Sequence, residues 1–247
     1  MTASHSPAAQ RRLTLADLLT LANAATGAAS IALAAATSWG AGGPGRGTLA
    51  VAVALLVTGC LLDIADGPAA RRLGPSRSGV ALDVAADLVA FGVAPAVWLA
   101  RDTATRGGGW GSVAAVVAAA GFVGAAAFRL FRHARTTERH AGPFKGLPTP
   151  AAAATALALL ALRPPASLTA TGLVVVAALM ASAVPCPRPS RRLAPVLAAC
   201  LAIAVAALLG ALPLRPVAAG WLALVAAIPL RSVVARVARP GPASRSV

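Results

Sequence analysis

Apolar residues run in long, nearly unbroken stretches along the chain, and the breaks between them are short and rich in Gly, Pro and Arg. A helix needs roughly 20 apolar residues to cross the hydrocarbon core of a bilayer. On that measure the pattern predicts eight spans, at about 15–38, 47–70, 79–100, 111–133, 147–162, 167–185, 194–212 and 216–237. Turn signals separate them at 40–45, 106–109, 164–165 and 185–189. The fifth span is the shortest, and Pro148 and Pro150 stand at its start, where a helix tolerates proline. The expected fold class is an all-α integral membrane protein of about eight transmembrane helices. A membrane domain at 15–238 lies between a polar N-terminal segment, 1–14, and a polar tail, 239–247.

Charge placement gives this reading an orientation. With the N-terminus in the cytoplasm, 17 of the 22 Lys and Arg residues fall in inward-facing segments. The outer loops hold only Arg46, Arg101, Arg106, Arg163 and Arg215, as the positive-inside rule expects. Trp39, Trp98, Trp110 and Trp221 all fall near the outer ends of their spans, the level that indoles favour. Arg11 and Arg12 ahead of an apolar run have the look of a signal peptide, but the run is long for one, and the topology works best if it is retained. Composition agrees: 58% of residues are hydrophobic and 12% charged, about half the usual charged share of a soluble domain. The net charge of +15 fits arginines that face anionic headgroups. It does not indicate nucleic acid, because no basic stretch is interleaved with stacking aromatics. Cys60, Cys186 and Cys200 are isolated and read as small apolar fillers, and His133 and His140 as solvated loop residues.

Against this apolar background the acidic residues stand out. There are seven: Asp17, Asp63, Asp66, Asp83, Asp87, Asp102 and Glu138. Four of them lie between 63 and 87, within or at the ends of the second and third spans. Ionisable groups in spans are costly and mark function. Asp63 and Asp66, three apart, share one helix face; Asp83 and Asp87, four apart, share another. The short basic turn between the two helices makes them antiparallel neighbours, so the two carboxylate pairs can face each other near the cytoplasmic side. Divalent metal is the obvious means of offsetting their repulsion. A donor set of oxygens alone favours Mg²⁺ or Mn²⁺ over Zn²⁺. Ion pairs with Arg71, Arg72 and Arg77 would also hold these carboxylates, but would not explain their regular spacing. Asp87 lies roughly 12 Å into its helix, so a hydrated cavity open to the cytoplasm is expected.

Smaller residues complete the pattern. Gly67 removes a side chain where a phosphate can approach the backbone, Ala70 keeps the same face open, Arg71 can neutralise a diphosphate, and Gly79 permits close helix approach. The run Asp63-x2-Asp66-Gly67-x2-Ala70-Arg71-x7-Gly79-x3-Asp83-x3-Asp87 resembles the signature of the CDP-alcohol phosphatidyltransferase family. The resemblance implies a helical membrane fold that holds two divalent cations, Mg²⁺ or Mn²⁺, on Asp63, Asp66, Asp83 and Asp87. It further implies that the CDP diphosphate binds beside them and that Asp87 is the general base. It also suggests a homodimer, and the arginine placement faces the active site to the cytoplasm from the cell membrane.

Flanking segments narrow the likeness. The stretch 18–23 with Gly27, the stretch 83–96, and 146–150 with its alanine run are similar to bacterial phosphatidylserine synthases. This places Thr20 and Asn23 with Gly67, Ala70, Arg71 and Gly79 among the expected groups of the CDP site. Residues 129–134 read Arg-Leu-Phe-Arg-His-Ala, where that subgroup carries an Arg-Leu-Ala-Arg-Phe-Asn-like stretch. Arg129 and Arg132 match; with Lys145 they are candidates to bind the acceptor. The expected reaction transfers a phosphatidyl group from CDP-diacylglycerol to an alcohol, L-serine by resemblance, and forms phosphatidylserine and CMP. Glycerol 3-phosphate, an inositol phosphate or another polar alcohol stays open as acceptor. A catalytically silent homologue remains an alternative. So does a non-enzymatic transporter, although these aspartates cluster near one face and no inverted repeat is evident.

Overall fold

A computed structural model describes residues 14–40, 42–73, 79–106, 109–136, 144–186, 206, 210 and 213–237. The polar termini, the turn at 74–78 and nearly all of the expected seventh span lie outside the described residues. The fold is helical. It comprises α1 (Leu15–Ala36), α2 (Arg46–Leu73), α3 (Gly79–Asp87), a π-helical segment (Leu88–Val93), α4 (Ala94–Ala104), α5 (Trp110–Thr136), α6 (Thr149–Leu162), α7 (Ala166–Ala181) and α8 (Leu214–Val237). Two short antiparallel strands, β1 (Phe144–Lys145) and β2 (Pro185–Cys186), pair beside the ends of α5 and α7.

Among the described residues, four stretches are long and apolar enough to cross a membrane: Leu15–Ala36, Arg46–Asp66, Gly79–Ala104 and Trp110–Arg135. The expected fifth and sixth spans are shorter helices of 14 and 16 residues. At a rise of about 1.5 Å per residue they reach about 21 and 24 Å, less than a hydrocarbon core of about 30 Å. α8 is 24 residues long, and its described side chains run as far as Ala227. Among the described residues, four of the eight expected spans are therefore long and apolar enough to cross a bilayer, and the seventh lies outside the described residues. Between α6 and α7 the turn falls where the prolines predict it: Arg163 caps α6 in the left-handed conformation, φ 48°, and Pro164 and Pro165 separate the two helices.

α1 is built inside out relative to a soluble helix. Its buried face is Asp17, Thr20, Asn23, Gly27, Ser30 and Ala34, spaced three or four apart, while Leu15, Leu18 and Leu21 are exposed. Polar and small residues meet neighbouring helices, and the leucines point outward, as packing in lipid favours. A capping box starts the helix: the Asp17 N–H donates to Thr14 Oγ1, and the Thr14 N–H donates back to the Asp17 carboxylate.

The π-helical segment follows from Pro95. Proline has no N–H to give the carbonyl four residues back, and just ahead of it the Ala94 N–H bonds Val89 five residues back. Gly27 of α1 lies against this widened turn. A Cβ on Gly27 would stand 2.6 Å from Ala90 Cα and 2.8 Å from Ala90 N, so only glycine allows the approach.

At the far end of the same helix, Asp102 is fully buried and pairs with Arg106 and with Arg163, the latter at 2.9 Å. The Arg163 guanidinium also covers Gly43 in the α1–α2 loop, which has φ 82°. This buried cluster ties three helix ends together. Trp98 departs from the interfacial role expected of it: it is wholly buried, donates to Ser30 Oγ at 3.0 Å, and packs on Trp39 with ring centroids 5.6 Å apart. Trp110, 89% exposed, keeps a surface position.

Candidate functional site

Helix pairing brings the carboxylates together at the opposite end from Asp102. Asp63 and Asp66 sit on α2, and Asp83 and Asp87 on α3. Asp87 is buried, and the other three are half-buried. One carboxylate oxygen from each of Asp63, Asp83 and Asp87 lies within 4.8 Å of the others. Asp66 stands beside this triangle: its carboxyl meets that of Asp83, and its Oδ2 lies 3.3 Å from Thr20 Oγ1.

This arrangement fits a divalent cation on two grounds. Three carboxylates crowd together, and Asp83 Oδ1 is buried with no hydrogen bond among the described residues. Opposite oxygens around an octahedral Mg²⁺ are separated by about 4.2 Å, twice a bond of about 2.1 Å. The three oxygens lie within 4.8 Å of one another, so small shifts bring them within the span of one such ion. The ligand atoms that converge are all carboxylate oxygens, a donor set that favours a hard ion.

α1 supplies the groups that hold two of these carboxylates. Asn23 is fully buried, and its Nδ2 donates to Asp87 Oδ1 at 2.9 Å. Thr20 shares its hydroxyl proton between Ala16 O at 3.0 Å and Asp66 Oδ2. Both residues were expected at the CDP diphosphate; in the structure their side chains engage aspartates. Gly79 begins α3, as expected. Gly67, Ala70 and Arg71 lie on α2, but their side chains are outside the described residues.

The three candidate acceptor residues separate. Arg129, buried on α5, donates to Thr149 Oγ1 at 2.7 Å; its Nε has no hydrogen bond among the described residues, and it lies within electrostatic reach of Asp87 and Asp63. Arg132 is spent on backbone: it donates to the carbonyls of Ala181 (2.7 Å), Lys145 (2.8 Å), Ser182 (3.1 Å) and Met180 (3.2 Å). It thereby satisfies the C-terminal end of α7 and pins it to β1, a scaffold position. Lys145 is exposed on β1.

Two functional features escaped the sequence. Thr149, the partner of Arg129, lies in the Pro-rich start of α6, where nothing in the chain marks it as facing Arg129 twenty residues earlier. Asp102 carried a signal in Arg106, four residues on, but its second partner, Arg163, is distant in sequence.

The family model of the CDP-alcohol phosphatidyltransferases matches residues 13–185, well over half of the chain and the whole of the acidic constellation. The CDP-diacylglycerol–serine O-phosphatidyltransferase of Mycobacterium leprae (strain TN) is 38% identical over 120 residues, which cover 45% of this chain and 38% of that protein.

Proposed function

Because the chain belongs to the CDP-alcohol phosphatidyltransferase family, we propose that it transfers the phosphatidyl group of CDP-diacylglycerol to the hydroxyl of L-serine, giving phosphatidylserine and CMP. The observation that carries the chemistry is the convergence of Asp63, Asp83 and Asp87 from two helices inside a matched membrane domain. The choice of serine rests on the likeness to the M. leprae protein, whose name specifies that acceptor.

In this reading Asp63, Asp66, Asp83 and Asp87 hold two divalent cations, Mg²⁺ or Mn²⁺, which when bound neutralise the diphosphate and the charge on departing CMP. Asp87 takes the proton of the acceptor hydroxyl. The acceptor oxygen bonds to the phosphatidyl phosphorus, and the phosphorus–oxygen bond to CMP breaks. Gly67 and Ala70 leave space for the diphosphate, Gly79 keeps the helices close, and Arg71 supplies a cation to the phosphates. Arg129, held by Thr149 beside the acidic cluster, receives the acceptor's carboxylate. The lipid tails stay in the bilayer. The arginine distribution supports a site on the cytoplasmic face of the cell membrane, and the family resemblance supports a homodimer.

The test is release of CMP by purified protein given CDP-diacylglycerol with Mg²⁺ or Mn²⁺, while serine, glycerol 3-phosphate and an inositol phosphate are offered in turn. Serine-dependent release is expected. Brisk transfer to a phosphorylated alcohol and none to serine would move the acceptor assignment and make Arg129 a phosphate ligand. No release with any acceptor would favour the transporter alternative. Asp87→Asn is expected to abolish turnover while CDP-diacylglycerol still binds, and near-normal turnover would refute its role as base.

A further inference from the structure

Asn23 poses a problem that packing does not solve. It is a fully buried amide inside a membrane helix, yet only half of it is satisfied: Nδ2 reaches Asp87, while Oδ1 is buried with no hydrogen bond among the described residues. A buried polar atom without a partner costs stability, and an apolar side chain of similar shape would avoid that cost. The orientation of the amide is set by chemistry, since turning it over would place its oxygen against a carboxylate oxygen. The space for Oδ1 is itself provided: a Cβ on Gly59 of α2 would stand 2.9 Å from Asn23 Oδ1 and 2.9 Å from Thr26 Oγ1. Thr26 Oγ1 donates to the Asn23 carbonyl at 2.7 Å and fixes the same turn of α1.

We propose that Asn23 is a positioning residue for Asp87: it holds Oδ1, fixes the rotation of the carboxylate, and so directs Asp87 toward Asp63 and Asp83. This deepens the proposed function and rests on it for the identity of the reaction, but the claim about geometry does not depend on the acceptor. The alternative, that Asn23 contacts the CDP headgroup, would require the headgroup to reach an Oδ1 that is wholly buried between α1 and Gly59 of α2. Thr20 plays a lesser part toward Asp66, because its single proton is shared with Ala16 O and the contact is longer.

The experiment compares the wild-type protein with Asn23→Ala and Gly59→Ala in detergent. Mn²⁺ binding is measured from the signal of the free ion by electron paramagnetic resonance, alongside steady-state CMP release and thermal unfolding. Loss of a group that orients a metal-binding side chain typically weakens metal affinity or activity about 10- to 100-fold. Asn23→Ala is expected to weaken Mn²⁺ binding at least about tenfold and to lower kcat comparably, with KM for CDP-diacylglycerol within about threefold of wild type. Gly59→Ala leaves the amide in place and crowds its oxygen, so a smaller shift in the same direction is expected, and it reports should Asn23→Ala fail to fold. A raised KM for CDP-diacylglycerol with unchanged Mn²⁺ binding would overturn the proposal and make Asn23 a donor-substrate ligand. Unchanged Mn²⁺ binding and kcat in both variants would reduce it to packing. A wild-type protein that releases no CMP would refute the proposed reaction, whereas the Mn²⁺ comparison would still decide the role of Asn23.

Discussion

Gly27→Ala places one methyl group where two backbones meet. Its Cβ would lie 2.6 Å from Ala90 Cα, 2.8 Å from Ala90 N and 3.0 Å from Val89 C. All three atoms are main chain, so no side-chain rotation relieves the clash. Carbon atoms pack at about 3.5–4.0 Å, so α1 must withdraw by about 1 Å from the π-helical segment. Asn23 lies one turn away on the same buried face and moves with it. The 2.9 Å bond to Asp87 would then stretch to about 3.9 Å, beyond hydrogen-bonding reach. Overpacking of this kind costs about 1–3 kcal/mol of stability. A misplacement of about 1 Å in a reacting group lowers turnover by about 100-fold. The assay is CMP release with saturating CDP-diacylglycerol, paired with thermal unfolding. Gly121→Ala is the control, because a Cβ there meets nothing within 4 Å, and it is expected to leave both readouts near wild type. Full turnover in Gly27→Ala with an unchanged melting temperature would refute the idea that the α1–α3 spacing sets the carboxylate geometry.

Arg129→Ala is expected to raise the serine requirement about 10- to 150-fold, the equivalent of about 1.5–3 kcal/mol for a charge-assisted bond, with little change for CDP-diacylglycerol. Arg132→Ala, which strips donors from the end of α7, should instead lower the melting temperature and leave substrate requirements nearly unchanged; equal effects of the two variants would dissolve the distinction. Asp83→Ala removes a candidate ligand, so activity should collapse and recover only in part when a Mn²⁺ titration is extended; undiminished activity at low metal would take Asp83 out of the metal set. Asp102→Ala strands two partly buried arginines and should destabilise the protein by about 3–5 kcal/mol, read by thermal unfolding, although it lies far from the chemistry.

Hydrophobic run lengths and the spacing of a few aspartates are local quantities, and what depends on them was legible in the chain. The helical class, the starts and ends of α1, α2 and α5 to within a few residues, and the shared faces of Asp63 with Asp66 and of Asp83 with Asp87 all follow from a helical repeat that the chain itself carries. Whether a segment reaches across a bilayer is less local. Apolar composition made 147–162 and 167–185 look like spans, and the turn between them falls at Arg163 to Pro165 as the prolines predict, but α6 begins at Thr149 and α7 ends at Ala181, so both helices are shorter than the apolar runs. Roles that depend on which helix lies opposite were decided only by the tertiary structure. Arg129 and Arg132, three apart and chemically identical, diverge because one meets Thr149 within electrostatic reach of Asp87 and Asp63 while the other meets the open carbonyls of α7. Asn23 and Thr20 were placed in the site by their motif, but their partners, Asp87 and Asp66, lie 64 and 46 residues away. A side chain's residue type limits what it can bind, and the packing of α1 against α2 and α3 determines which of those partners it meets.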